Sequence, residues 1–153
     1  MTIGMAIETV DRLKPNRFER IDKVRWLSEL DALIWHDLVA THHMPAPCAQ
    51  AFEGWLGVCG PNGFEGYPED VDDDTELMVR FPHDNLYLRW LESQIDLHNM
   101  EIDKYNNSRN LFNHAYLTYT DWYNRTHMPV QAGNFRFTEG RKAGEKDALS
   151  TRT

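Results

Sequence analysis

One stretch divides this chain. Residues 43–76 hold five glycines (Gly54, Gly57, Gly60, Gly63 and Gly66) and four prolines (Pro45, Pro47, Pro61 and Pro68). Glycine raises the entropic cost of ordering the backbone, and proline removes a donor. No long helix or central strand can run through such a segment. On both sides of it, apolar residues recur every three or four positions instead. Two helical regions joined by a long irregular connection are therefore imposed on the fold. A loop of this length inside a compact domain is usually functional or mobile. Its aromatics (Phe52, Trp55, Phe64, Tyr67) predict that it packs partly on something.

The same stretch owns the charge. The 153 residues carry a formal net charge of −8. Residues 44–76 contain eight acids and no lysine or arginine; 1–43 and 77–127 are each net −1, and 128–153 are net +2. Without a basic face, a DNA-wrapping function is excluded, because phosphate binding needs positive charge. At 41% hydrophobic and 26% charged, the composition is that of one foldable domain. No apolar run approaches the roughly 20 residues that span a bilayer. Residues 1–15 show no apolar signal core. A membrane or secreted protein is not expected. Two cysteines make no disulfide framework.

Residues 3–13 read as a short helix ending before Pro15. Asn16 followed by Glu19 resembles a capping box. A long helix is predicted over about 17–42, with Val24, Leu27, Leu30, Ile34 and Leu38 as its apolar stripe, Trp26 and Trp35 widening it or marking a second contact, and Arg20, Lys23, Asp31 and Asp37 mostly off it. Residues 77–81 form the one candidate strand. A third helix is expected over about 84–103, with Tyr87, Leu91, Ile95, His98 and Ile102 aligned. Asn106-Asn107-Ser108 is a candidate turn or cap. The last helix, about 107–126, would face inward through Leu111, Ala115, Tyr119 and Trp122, with Phe112, Tyr116 and Tyr123 beside them. The fold class is therefore mainly α: a small bundle of about four helices with a long acidic loop at 43–76, one short strand and an extended C-terminal tail. Residues 1–127 form the helical domain and 128–153 the tail.

That 26-residue tail has no periodicity with which to build a core, and its extended reach is on the order of 85 Å. It is expected to dock on another chain rather than wrap its own bundle. Phe135-Arg136-Phe137 alternates as an added strand or pocket anchor would. Arg141, Lys142 and Lys146 suit an acidic partner surface.

Catalytic and metal chemistry find little footing. His42, His43, Cys48 and Cys59 number four, but lack the paired spacing of structural zinc sites. A helix end and two buried thiols explain them better. The acidic run Glu69, Asp70, Asp72, Asp73, Asp74 and Glu76 lacks the glycine and ligand order of a calcium loop. It reads as a solvated loop, or as a surface facing a channel, a neighbouring subunit or a basic partner. No phosphate-binding loop or nucleophile elbow occurs. Glu29, Glu92 and Glu101 read as solvated helix positions, and His98 and His114 as core histidines. No catalytic residues, metal or cofactor are expected, and a metal-dependent hydrolase built on His42 and His43 is the weakest alternative.

Several strings do resemble a known family. Lys23-Val24-Arg25-Trp26-Leu27-Ser28-Glu29-Leu30-Asp31 is one. Leu77-Met78-Val79-Arg80-Phe81-Pro82-His83-Asp84-Asn85-Leu86-Tyr87 is another. Tyr105-Asn106-Asn107-Ser108, Leu111-Phe112-Asn113 and Tyr123-Asn124-Arg125-Thr126-His127-Met128-Pro129 complete the set. Together they resemble the head–tail connector (adaptor, head-completion) proteins of long-tailed bacteriophages over about residues 5–130. None is a catalytic signature. The resemblance implies a virion structural subunit at the phage neck, assembled in the host cytoplasm. It also implies a homo-oligomeric ring, commonly twelve-fold, between the portal protein and the next neck or tail-completion protein. Such a ring extends the DNA channel, and genomic DNA passes without specific binding. Adaptor carboxyl tails commonly embrace the portal. In a twelve-membered ring the acidic segment would bring about −96 formal charges, partly screened by counterions, which disfavours adhesion of DNA. The alternative is a non-viral helical interaction module whose acidic loop binds a basic partner.

Overall fold

The computed structural model describes residues 1–42, 59–60 and 63–130. Four α-helices carry these residues: α1 (Ile3–Leu13), α2 (Arg20–Asp37), α3 (Leu86–His98) and α4 (Ile102–Thr126). A 3-10 turn, Val39–Thr41, follows α2. Two two-residue strands, β1 (Cys59–Gly60) and β2 (Gly63–Phe64), pair antiparallel with Cys59 opposite Phe64. The protein is mainly α, a small helical bundle. None of its helices among the described residues is long and apolar enough to cross a membrane.

α2 is the central element and packs against α1, α3, the 3-10 turn and β2. Its predicted stripe of Val24, Leu27, Leu30, Ile34 and Leu38 is buried throughout. The buried face is wider than that stripe and includes Trp26, Lys23 and Asp31. Lys23 and Asp31 were expected off the stripe; both lie in the core. Lys23 donates to Asp11 at 2.6 Å, which ties α2 to α1.

Helix bounds differ from expectation where side chains rewire the backbone. Asn16 does not open a capping box. Its Oδ1 accepts from the Phe18 amide, while its Nδ2 donates to Asp11 and to the Lys14 carbonyl. Those bonds fix a turn, and α2 begins only at Arg20. The expected turn at Asn106-Asn107-Ser108 lies inside α4. Ser108 folds its hydroxyl back onto the Lys104 carbonyl and onto the buried Asp96 of α3. A side chain that satisfies the helix locally no longer breaks it. Lys14 pairs with the same Asp96.

The chain reverses instead at Asn99–Met100–Glu101. α4 then turns inward through Ser108, Phe112, Tyr119 and Tyr123. Of the predicted face Tyr119 is buried, as are its neighbours Phe112 and Tyr123, whereas Leu111 and Trp122 are exposed. In α3, Tyr87, Leu91 and Ile95 are fully buried, whereas His98 and Ile102 at the end of that stripe are exposed. His114 is exposed too, so neither His98 nor His114 is a core histidine.

Residues 77–81 form no strand. An isolated bridge joins Thr2 to Glu76, after which Leu77 and Val79 turn inward as single apolar anchors. A second bridge joins His42 to Pro129, and the Val130 amide donates to the Thr41 carbonyl at 2.8 Å.

Candidate functional site

The acidic residues lie on a strap, 65–79, that crosses the bundle. Its attachment starts from the first turn of α1, whose amides have no partners within the helix. Ile3 donates to the Thr75 carbonyl and Gly4 to the Asp73 carbonyl, each at 3.0 Å. Leu77 returns a bond to the Met1 carbonyl at 3.1 Å. Glycine is required at position 4 by this approach: a Cβ there would sit 2.7 Å from the Cβ of Asp73. The positive end of the α1 dipole thus faces the acidic run, which favours carboxylates there.

Arg20 supplies the second attachment. Its guanidinium donates to Asp73 Oδ1 through Nε at 3.1 Å and Nη2 at 2.7 Å, and also to the carbonyls of Glu69 and Val71. One cation therefore fixes three points of the strap. Asp72 accepts from the Asp74 amide at 3.2 Å and tightens the turn. Arg80 meets Glu76 across 3.4 Å at an exposed position. Glu69, Asp70, Asp72 and Asp74 are exposed, and no lysine or arginine among the described residues is paired to their carboxylates. The predicted acidic residues are thus brought together on one surface, with Asp73 and Glu76 paired to arginines and Asp72 bonded to the Asp74 amide.

The third attachment is inside the core and was missed by the sequence reading. Asp31 is fully buried. One carboxylate oxygen accepts from the Tyr87 hydroxyl at 2.5 Å; the other accepts from the Tyr67 hydroxyl and, at 3.5 Å, from the Met78 amide. The Tyr87 oxygen accepts in turn from the Val79 amide at 2.8 Å. Burial pushes the Asp31 carboxyl up to about 6, and the hydrogen bonds from Tyr67, Tyr87 and Met78 oppose part of that rise. Burial, with the negative charge of Asp31 beside it, raises the Tyr87 phenol well above its ordinary value. The cluster joins both ends of the strap to α2 and α3. A signal for it existed: Asp31 sits four residues after Leu27 and three before Ile34, on the apolar stripe itself.

A further aromatic group closes the other end of α4. The Tyr123 and His127 rings stack with centroids 3.9 Å apart, and His42 meets Tyr123 edge-on at 5.1 Å. His83 packs on Trp122 at 5.0 Å. His42 Nδ1 lies 2.7 Å from the Leu38 carbonyl. Among the described residues no three His, Cys, Asp or Glu side chains converge as a metal site would require. His43 and Cys48 lie outside the described residues, as do the tail candidates Phe135, Arg136, Phe137, Arg141, Lys142 and Lys146.

What this arrangement offers chemically is a rigidly held acidic surface and a set of exposed apolar side chains. Twelve large apolar residues among those described are more than a third exposed, including Phe81 (85%), Met100 (79%), Met128 (77%) and Leu117 (60%). Comparison with known proteins finds no matching family model, curated protein or solved structure.

Proposed function

We propose that this chain is a structural subunit of a tailed-phage neck. In this reading copies repeat around an axis into a ring between the portal and the next neck or tail protein, extend the DNA channel and catalyse nothing. The carrying observation is the distribution of the exposed apolar residues over α1 (Met5, Leu13), α2 (Leu33), α3 (Leu97), the α3–α4 turn (Met100) and α4 (Ile102, Leu111, Leu117, Trp122). A closed ring repeats one heterologous contact, so each subunit needs two different adhesive surfaces on different sides. Scattered apolar residues on several elements supply that, where a single patch would support only a two-fold pair.

The carboxylates of the strap fit the conduit role. A negative wall repels DNA phosphates and lets the genome slide. The sequence resemblance over residues 5–130 supports the phage neck as the setting of this proposal. Negative-stain imaging of the purified chain, alone and mixed with portal, tests the reading. Closed rings are expected. A chain that remains monomeric with portal present overturns it and favours a non-viral module whose acidic surface binds a basic partner.

A further inference from the structure

The strap 65–79 has no helix or strand of its own. Side chains and a few backbone bonds hold it to the bundle, so it can leave without unwinding an element. Most of these attachments are within reach of water. Arg20, which grips Glu69, Val71 and Asp73, has a side chain 38% exposed, and that of Asp73 is 65% exposed. The Tyr67 amide donates to the half-buried Ser28 hydroxyl at 2.9 Å. Asp31 differs from both. It is fully buried, and the two ends of the strap converge on it. Tyr67 comes from the beginning, the Met78 amide from the end, and the Val79 amide arrives through the Tyr87 oxygen.

The groups around Asp31 do not neutralise it. The strap offers the Tyr67 phenol and α3 the Tyr87 phenol. The Tyr119 phenol of α4 is pushed up by burial first, then by the charges of Tyr123 and Asp31, so it too senses the carboxylate. No lysine, arginine or histidine among the described residues pairs with Asp31. Lys23, the other buried charge of α2, stands about two turns away and is committed to Asp11 of α1. A carboxylate buried among neutral donors is penalised by desolvation once it ionises, and its hydrogen bonds offset only part of that penalty. One of its oxygens is met by strap groups, Tyr67 and Met78, so lifting the strap opens that oxygen to water.

We propose that the strap is a proton-operated latch: it stays seated while Asp31 is protonated, and ionisation of Asp31 favours a locally open form in which the strap lifts and α1–α4 stay folded. The sign follows from burial. The Asp31 carboxyl rises from 3.8 to about 6 in the folded chain. The seated form is therefore held most firmly below about pH 4 and loosens as pH passes through 6. Glu69, Asp70, Asp72, Asp73 and Asp74 ride on the strap, so one buried proton sets how firmly the acidic surface is held. The latch does not depend on the ring reading.

Amide hydrogen exchange of the full chain, followed by NMR from pH 4 to 8 and corrected for the intrinsic rate, tests it. Protection of the Leu77, Met78 and Val79 amides should fall about 100-fold across that range. At every pH it should be at least tenfold lower than that of the Leu91 and Ile95 amides in the core of α3. In Asp31→Asn the strap protection should be flat with pH. Tyr67→Phe takes one donor from the carboxylate and should move the step to higher pH. Strap amides that exchange no faster than Leu91 and Ile95 would mean that only global unfolding relieves Asp31, and would overturn the latch. Strap protection that ignores pH in the wild type, or that keeps its slope in Asp31→Asn, overturns it equally.

Discussion

α2 and α4 are both long helices, and they are used in opposite ways. α2 has 18 residues and buries seven, two of them charged. α4 has 25 residues and buries four. α2 touches most of the bundle, whereas α4 leans chiefly on α3 and turns Leu111, Leu117 and Trp122 outward. The difference separates two tasks. α2 holds the subunit together, even at the cost of desolvating Asp31 and Lys23. α4 contributes less to the core than its length allows and leaves Leu111, Leu117 and Trp122 exposed.

The sharpest way to break this comparison is at Asp31. Asp31→Leu leaves the hydroxyls of Tyr67 and Tyr87 and the Met78 amide without their acceptor, and should cost about 4 kcal/mol. Asp31→Asn keeps an acceptor oxygen and should cost about 1–2 kcal/mol. Denaturant unfolding of both variants checks the pair; equal losses would show that the hydrogen bonds are not what matters.

The pH dependence comes next. Asp31 moves from 3.8 to about 6 on folding, so the folded chain holds that proton more tightly. Its contribution is full below about pH 4 and is lost as pH rises through 6, by about 3 kcal/mol at most. The wild-type stability minus that of Asp31→Asn should fall across pH 4–6. A flat difference would mean that the carboxyl is not desolvated.

Gly4→Ala should cost about 1–2 kcal/mol, because the new methyl meets Asp73 and the strap must lift from the α1 terminus. Hydrogen exchange should rise at the amides of Ile3 and Gly4, which donate to the strap.

The smallest effect on the monomer tests α4. Leu117→Ser should change unfolding stability by less than about 0.5 kcal/mol, as an exposed position does. Its consequence should appear in assembly instead. A large loss of stability would return α4 to an ordinary core role.

Much of the helix layout was legible from spacing. Residues 3–13 match α1 because Pro15 and the apolar repeat act within one segment. The α4 start was misplaced because Asn106-Asn107-Ser108 looks like a break to any local rule. Ser108 is kept helical by Lys104, four residues back, and by Asp96 on another helix. The acidic residues were legible as a group, but the pairing of Asp73 was not. That pairing depends on Arg20, 53 positions from Asp73.

The amino-acid sequence by itself determined where helix could and could not form, since helical periodicity and Gly/Pro content act over a few residues. It also determined that the negative charge would gather on one connection. Tertiary structure alone decided that Asp31 is a core residue. Its partners Tyr67, Met78 and Tyr87 lie 36, 47 and 56 positions away. A carboxylate on an apolar stripe is intolerable or stabilising according to whether donors arrive to meet it, and only the folded chain brings them there.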